Sequence, residues 1–344
     1  MSNHKGPLLK VENLKMHFSL KRGLLDKQDK VVKAVDGVSF EVHKGRTLGI
    51  VGESGCGKTT IGKCILRIHQ ASSGKIFFNG QDILGMSERN FSKIKRKMQM
   101  IFQDPYGSLD PRQSAFSIVK ETYVEDRKRQ PARVVKEEVE KLLVRVGLPV
   151  ELGIRYPHEL SGGQRQRLGI ARALATDPEL IICDEPVSAL DVSIQAQIIN
   201  LFKQLQRQMQ LTYIFIAHDL AVVRHIADRV AVMYLGRFVE HMDAAELYSN
   251  PLHPYTKSLL SAIPIIDYDA ERQRKRIILK GEVPSPINVP SGCAFHPRCP
   301  VASSICAEVV PGLEDIGNGH YVACHHLDLA REMVMIGPQS QKPA

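Results

Sequence analysis

The stretch Gly52–Thr60, GESGCGKTT, constrains this chain more than any other. It fits G-x-x-x-x-G-K-[ST], with the buried-strand pattern RTLGIVG before it and the helical pattern TTIGKCILRIH after it. Gly52, Gly55 and Gly57 let the backbone curl until its N–H groups face phosphate oxygens, and the helix N-terminus adds a favourable dipole. Lys58 supplies a point charge for β- and γ-phosphates, and the Thr59 hydroxyl can ligate Mg²⁺. Glu53, Ser54 and Thr60 complete the phosphate-binding stretch. Cys56 fills a variable position and reads as a small tolerated residue, not a nucleophile.

A second stretch, LIICDEP (180–186), supplies the acids such a loop needs. Its apolar strand delivers Asp184 toward Mg²⁺, and Glu185 follows where a carboxylate can polarise a water for attack on the γ-phosphate. Cys183, inside that strand, reads as a small core residue.

The rest of the chain alternates strands with helices, which implies a largely parallel sheet. LLKVENLKMHF, VSFEVHKG, MQMIFQ, LTYIFIAH and RVAVMYLG read as strands, and SLKRGLLDKQDK as a loop. KIFFNGQDI carries the Asn-Gly signal of a hairpin. A helical insert starts near 111, where Val135, Val139, Leu142 and Val146 share one face and Glu137–Lys141 forms a supporting pair. In SIQAQIINLFKQLQRQM the residues Ile194, Ile198, Leu201, Leu205 and Met209 fall in helical register. GEVPSPINVPSG marks a linker into a cysteine-bearing tail.

Composition narrows the class. A chain of 344 residues, 43% hydrophobic and 24% charged, suits a globular protein with one large domain and a smaller one. The N-terminus lacks an apolar signal region, and no apolar run approaches the roughly 18 residues of a membrane span. A cytosolic location is therefore expected, where stable disulfides are rare. The net charge of +9 gathers in KIKRK (93–97), RKRQPAR (127–133) and RQRKR (272–276). These lack interleaved aromatics and read as solvated faces, so no nucleic-acid partner is expected.

LSGGQRQR (160–167) resembles the signature of the ATP-binding cassette (ABC) family, and further stretches agree with it in order and spacing. Phe18 in LKMHF matches the family's adenine-stacking aromatic, and Gln103 in MIFQDP the glutamine that senses Mg²⁺ and the attacking water. Asp191 in SALD matches the loop that crosses the dimer interface, and His218 in IAHD the switch histidine at the γ-phosphate. The resemblance spans residues 8 to 265. It implies an α/β P-loop NTPase with a mixed sheet core, a helical subdomain at about 108–170 and a nucleotide-binding domain over 1–265. It also implies that Ser161, Gly162, Gly163 and Gln164, at a helix N-terminus, cap the γ-phosphate bound by a partner subunit, so that ATP is sandwiched between two chains.

Two later stretches, NPLHPYTKSLLSAIP (250–264) and GEVPSPINVPSGCAFHPRCP (281–300), resemble the ATPase subunits of peptide and nickel importers, as does the KRGLL loop. Locally, His253-Pro254-Tyr255 reads as a helix start. The resemblance implies a peripheral ATPase at the cytoplasmic face of the membrane, powering import of dipeptides or oligopeptides. Its partners would be a sister ATPase subunit, two membrane permease subunits and an extracytoplasmic peptide-binding protein. A nucleic-acid-linked ABC ATPase with a zinc module is the alternative.

The tail, 266–344, holds Cys293, Cys299, Cys306 and Cys324 with spacing C-x5-C-x6-C-x17-C. Structural zinc sites more often use paired C-x2–4-C knuckles, and the wider spacing suits the separated corners of a cubane. Similar importer ATPases carry a [4Fe–4S] cluster on four C-terminal cysteines. The expectation is therefore an iron–sulfur cluster, with zinc, or unliganded or disulfide-paired cysteines, as alternatives and His296, His320, His325 and His326 as substitute ligands.

Overall fold

The computed structural model describes residues 6–20, 30–126, 130–263 and 277–333. The expected KRGLL loop and the basic RQRKR stretch lie outside the described residues, as does part of RKRQPAR. In chain order the strands are β1 (Leu9–Leu20), β2 (Lys30–Val42), β3 (Thr47–Val51), β4 (Ser73–Phe78), β5 (Gln81–Asp82) and β6 (Met98–Ile101). They continue as β7 (Leu180–Asp184), β8 (Thr212–Ala217), β9 (Arg229–Tyr234), β10 (Arg237–Asp243), β11 (Glu314–Asp315) and β12 (Tyr321–Val322). The residues form two compact units, one built mainly from Phe77–Ala217 and the other mainly from Lys10–Phe40, Leu48–Ile76 and the chain from His218 onward.

In the first unit β6, β7 and β8 are parallel neighbours, in register from Met98↔Leu180 to Asp184↔Ile216. Every residue of β7 and β8 is buried, so these strands run apolar without alternation, as parallel strands covered on both faces do. The ends of β6 and β7 bring Gln103, Asp184 and Glu185 out at one edge. The helices Ala115–Asp126, Ala132–Arg145 and Gly162–Leu174 pack on one another as the expected insert. Val135, Val139, Leu142 and Val146 are buried as their spacing predicts. The surface pairing differs: Lys141 bonds Glu138 at 2.7 Å and Glu137 takes Arg133 at 2.9 Å. The i,i+3 partner is as near as the i,i+4 one on an exposed face, and such pairs are weak. The helix Val192–Met209 buries Ile198, Leu201 and Leu205, with Ile194 and Met209 half-buried at its ends.

In the second unit β3 is parallel to β9, β10 returns antiparallel to β9, and β12 and β11 extend the sheet antiparallel beyond β10. The expected class, a mixed α/β P-loop fold with a helical subdomain and a small cysteine-bearing C-terminal module, is the observed one. Strand β2 starts at Lys30, well before the expected VSFEVHKG. No helix among the described residues is long and apolar enough to cross a membrane.

The C-terminal module is tied down by β12, which covers the edge of β10. That pairing brings His320 to Glu240, a wholly buried acid whose carboxylate accepts from His320 Nε2 at 2.8 Å, Leu252 N at 2.7 Å and His253 N at 3.1 Å. His253 then caps the helix Pro254–Ser261, its Nδ1 accepting from Tyr255 N at 3.1 Å, with proline at the first helical position. Lys257, on that helix, donates to the carbonyls of Ala330 and Met333 at the end of the helix Leu327–Glu332.

Burial pulls His253 down to about 4, against an opposing contribution from Glu240. The unfolded ring titrates near 6.5. Between those values the unfolded chain holds a proton that the folded chain lacks. The stability contributed by the neutral ring is thus whole above about pH 6.5 and is lost as the pH falls toward 4. His253→Asn keeps a capping acceptor without the titration. The fall in melting temperature between pH 6.5 and 4.5 is expected to become shallower in that variant, while an unchanged slope would exclude His253 as its source. His241, which burial lowers to about 3, retains part of the dependence.

Candidate functional site

The glycine-rich turn emerges from β3, all of whose residues are buried, and enters the helix Lys58–Ile65. Gly52 and Gly57 have positive φ, 153° and 110°, and close backbone at their sides. A Cβ on Gly52 would lie 2.2 Å from Met233 O, and one on Gly57 would lie 1.9 Å from Ala34 O, so no side chain fits at either. A Cβ on Gly55 would meet nothing within 4 Å. The turn is thus packed against the unit at Gly52 and Gly57 and open at Gly55. Lys58 is 4% exposed and folds back over the loop, its Nζ donating to Gly52 O at 2.8 Å and Glu53 O at 3.0 Å. Burial pushes the Cys56 thiol up despite Lys58 nearby, which suits a packing residue. Ser54 is exposed, and Thr59 and Thr60 are half-buried at the helix start. Phe18, half-buried in the same unit, stands edge-on to His69 with centroids 5.2 Å apart.

The first unit carries the acids. Asp184 ends β7 and is buried, and Glu185 follows it with φ 46°, a left-handed conformation uncommon for a residue with a side chain. Its N–H donates to Ile216 O at 3.0 Å, and the Ser188 hydroxyl donates to its carbonyl at 3.1 Å, so backbone bonds hold it there. Such strain is a feature of functional sites. The Gln103 side chain crosses to it, Nε2 donating to Glu185 Oε2 at 2.9 Å. Two residues 82 positions apart are thereby joined.

In the same unit Ser161 and Gln164 form a reciprocal capping box at the start of the helix Gly162–Leu174. Ser161 Oγ accepts from Gln164 N at 3.3 Å, and Gln164 Oε1 accepts from Ser161 N at 2.9 Å. A Cβ on Gly163 would lie 2.8 Å from Ile194 Cγ2, and one on Gly162 would lie 3.2 Å from Leu190 Cδ2. Glycine therefore lets this helix start sit against the SALD loop and the helix beyond it. That loop is pinned by Gln195 Nε2, which donates to Val187 O and Leu190 O, and it places exposed Asp191 at the N-cap of Val192–Met209. His218, in the second unit, is exposed just after β8, next to Asp219, which caps the helix Leu220–Ile226.

The expectation of a metal cluster in the tail is corrected here. Cys293, Cys299, Cys306 and Cys324 are free thiols, and no group of three or more His, Cys, Asp or Glu among the described residues is disposed to hold a metal ion. Neither [4Fe–4S] nor zinc fits. Burial raises Cys293 and Cys324 and pushes Cys299 up to about 12, with neighbouring thiols adding to it. The substitute histidines are engaged elsewhere: His296 Nδ1 with Cys293 O, His320 with Glu240, His325 with Val309 O and His326 with Ser303 Oγ. The segment closes on itself through Cys293 N donating to Cys306 O at 2.8 Å and Ser291 Oγ to Ala307 O at 2.7 Å.

Sequence reading missed one residue at the glycine-rich loop. Arg298, from the tail, clamps Glu53. It lies between Cys293 and Cys299 in HPRC, and nothing in that local pattern points 245 residues back.

The family profile described as "ABC transporter" matches residues 35–188, and that described as "Oligopeptide/dipeptide transporter, C-terminal region" matches residues 239–306. The chain is 54% identical to the oligopeptide transport ATP-binding protein AppF of Bacillus subtilis, over 92% of this chain and 97% of that one. It is 53% identical to OppF of Salmonella typhimurium, an oligopeptide transport ATP-binding protein, over 93% and 96%. It is 47% identical to the dipeptide transport ATP-binding protein DppF of Haemophilus influenzae, over 94% and 97%. Among solved structures, cbiO1 of Clostridium perfringens superposes with a TM-score of 0.62 at 28% identity, covering 72% of this chain and 92% of that one. The ATP-binding cassette MJ0796, as a dimer bound to ADP and Pi, gives 0.61 at 26% identity, covering 69% and 98%.

Proposed function

This chain belongs to the ATP-binding cassette ATPases of oligopeptide and dipeptide importers, and from that premise we infer that it drives peptide uptake from the cytoplasmic face of a membrane. The observation that carries the reading is the Gln103–Glu185 contact, which joins a side chain past β6 to the acid past β7. In this reading Glu185 orients and polarises the water that attacks the γ-phosphate, and Gln103 holds that carboxylate. Lys58 and N–H groups of the Gly52–Thr60 turn other than those of Glu53 and Cys56 carry the phosphates, Phe18 stacks on adenine and His218 contacts the γ-phosphate. Thr59, Asp184 and Gln103 are the groups that would hold Mg²⁺, which when bound neutralises developing phosphate charge. The buried Asp184 and the oxygen donors of the other two suit a hard cation.

Ser161, Gly162, Gly163 and Gln164 serve the ATP held by a second subunit, and Asp191 lies at that interface. Hydrolysis then lets the pair open. The partners are a sister ATPase, two membrane permease subunits that insert short helices beside Gln103 and YGSLDPR, and a peptide-binding protein outside. Residues 1–265 form the motor in this reading, and 266–344 the importer-specific module.

ATP hydrolysis by the full complex in lipid vesicles is expected to rise about tenfold or more when peptide-loaded binding protein is added, since transport ties turnover to the loaded state. Stimulation by DNA or RNA in place of those partners would contradict the reading.

A further inference from the structure

The clamp on Glu53 is built from several directions within one unit. Arg298 Nη1 donates to Glu53 Oε2 at 2.9 Å and Oε1 at 3.2 Å, and Nη2 donates to Oε1 at 3.1 Å. The Arg298 side chain is 9% exposed and Glu53 26%, so the pair is shielded from most of the solvent. Nη1 also donates to Tyr234 OH at 3.4 Å. From another side the Glu53 N–H donates to Tyr255 OH at 2.9 Å. Phe295, 1% exposed, packs its ring against both tyrosines, 5.2 Å from Tyr234 and 5.4 Å from Tyr255. The side chain and the backbone of one loop residue are thus held by groups from the C-terminal half of the chain.

The position of that residue gives the arrangement its consequence. Glu53 follows Gly52 directly in the phosphate-binding turn, and its carbonyl is one of the two on which Lys58 rests. An unpaired carboxylate there repels a polyanionic ligand, and in a partly desolvated site the repulsion is larger than in water. A guanidinium bonded bidentately cancels that charge and fixes the direction of the side chain.

We propose that Arg298 is a positioning residue for ATP: by clamping Glu53 it removes a negative charge from beside the phosphate cradle and holds the backbone that aims Lys58. The proposal rests on reading Gly52–Thr60 as the ATP phosphate loop. It makes the C-terminal module part of the nucleotide site, although every recognisable nucleotide motif lies upstream of it.

The test is the equilibrium Kd of the fluorescent analogue mant-ATP with Mg²⁺ on the full chain. Arg298→Ala is expected to weaken binding about tenfold, and Arg298→Lys, which keeps the charge without the fork, about threefold. Adding Glu53→Gln to Arg298→Ala is expected to restore binding to within about threefold of wild type, because the offending charge is gone. A purely structural Arg298 would show no such rescue. Wild-type affinity in Arg298→Ala, or a double variant no tighter than the single one, overturns the proposal. Should Arg298→Ala fail to fold, wild-type affinity in Arg298→Lys overturns it equally. Lys58→Ala, run alongside, separates the two ideas: if it binds normally the loop reading itself fails, and if it loses binding while Arg298→Ala does not, only the clamp fails.

Discussion

Replacing Lys58 with alanine is expected to weaken ATP binding by about 30- to 100-fold. Hydrogen bonds to charged groups contribute about 1.5–3 kcal/mol each, and the lysine loses its ionic contact with the phosphates as well. Within the loop Nζ spans Gly52 O and Glu53 O, so the ammonium is held near the phosphate site. That preorganisation lowers the ordering cost of binding, and alanine forfeits it along with the charge. The loss should be confined to nucleotide affinity. The contacts of Lys58 lie within the loop, so the melting temperature of the chain without nucleotide is expected to fall by only a few degrees. Isothermal titration with ATP and Mg²⁺ checks this, and an unchanged affinity would show that the loop does not bind the phosphates.

Glu185→Gln acts on the next step. The amide oxygen can still accept from Gln103 Nε2, and the left-handed backbone held by Ile216 O and Ser188 is indifferent to the change. Binding is expected to survive. What disappears is the carboxylate that polarises water, and removing a general base costs about 10²- to 10⁴-fold in rate. Bound ATP then persists and the two-chain assembly stays closed. Lys58→Ala and Glu185→Gln therefore part company: the first loses nucleotide, the second retains it. Sedimentation with ATP present should find the second variant associated with its sister subunit and the first dissociated.

How much of this could be read from the sequence varies with the range of the interaction. The phosphate loop was legible because strand, turn and helix follow one another within a few residues, and glycine spacing and Lys58 belong to one local pattern. The capping box of Ser161 and Gln164 is also local. Apolar runs announced β7 and β8 because parallel strands bury both faces. By contrast, β10 reads RFVEHMD, where Glu240 and His241 suggest exposure. Both are buried because β12 arrives from 80 residues away and supplies His320, and no pattern inside β10 encodes that partner.

The cysteines failed for a related reason. Their number and spacing pointed to a ligand set, whereas ligation depends on where side chains point and whether each thiol ionises. In the fold no group of three or more His, Cys, Asp or Glu among the described residues is disposed to hold a metal, and the nearby histidines are otherwise engaged. The same segment contributes through the unremarked arginine between two of those cysteines, whose partner lies at the opposite end of the sequence.

The central claim is that this chain turns over ATP with Glu185 as the base in a complex that moves peptide. Phosphate release in a single turnover, measured on the vesicle-reconstituted complex with peptide-loaded binding protein, tests it most directly. Wild type is expected to release phosphate, and the Glu185→Gln complex to hold ATP and release phosphate at least about a hundredfold more slowly. Release at the wild-type rate from the Glu185→Gln complex would contradict it.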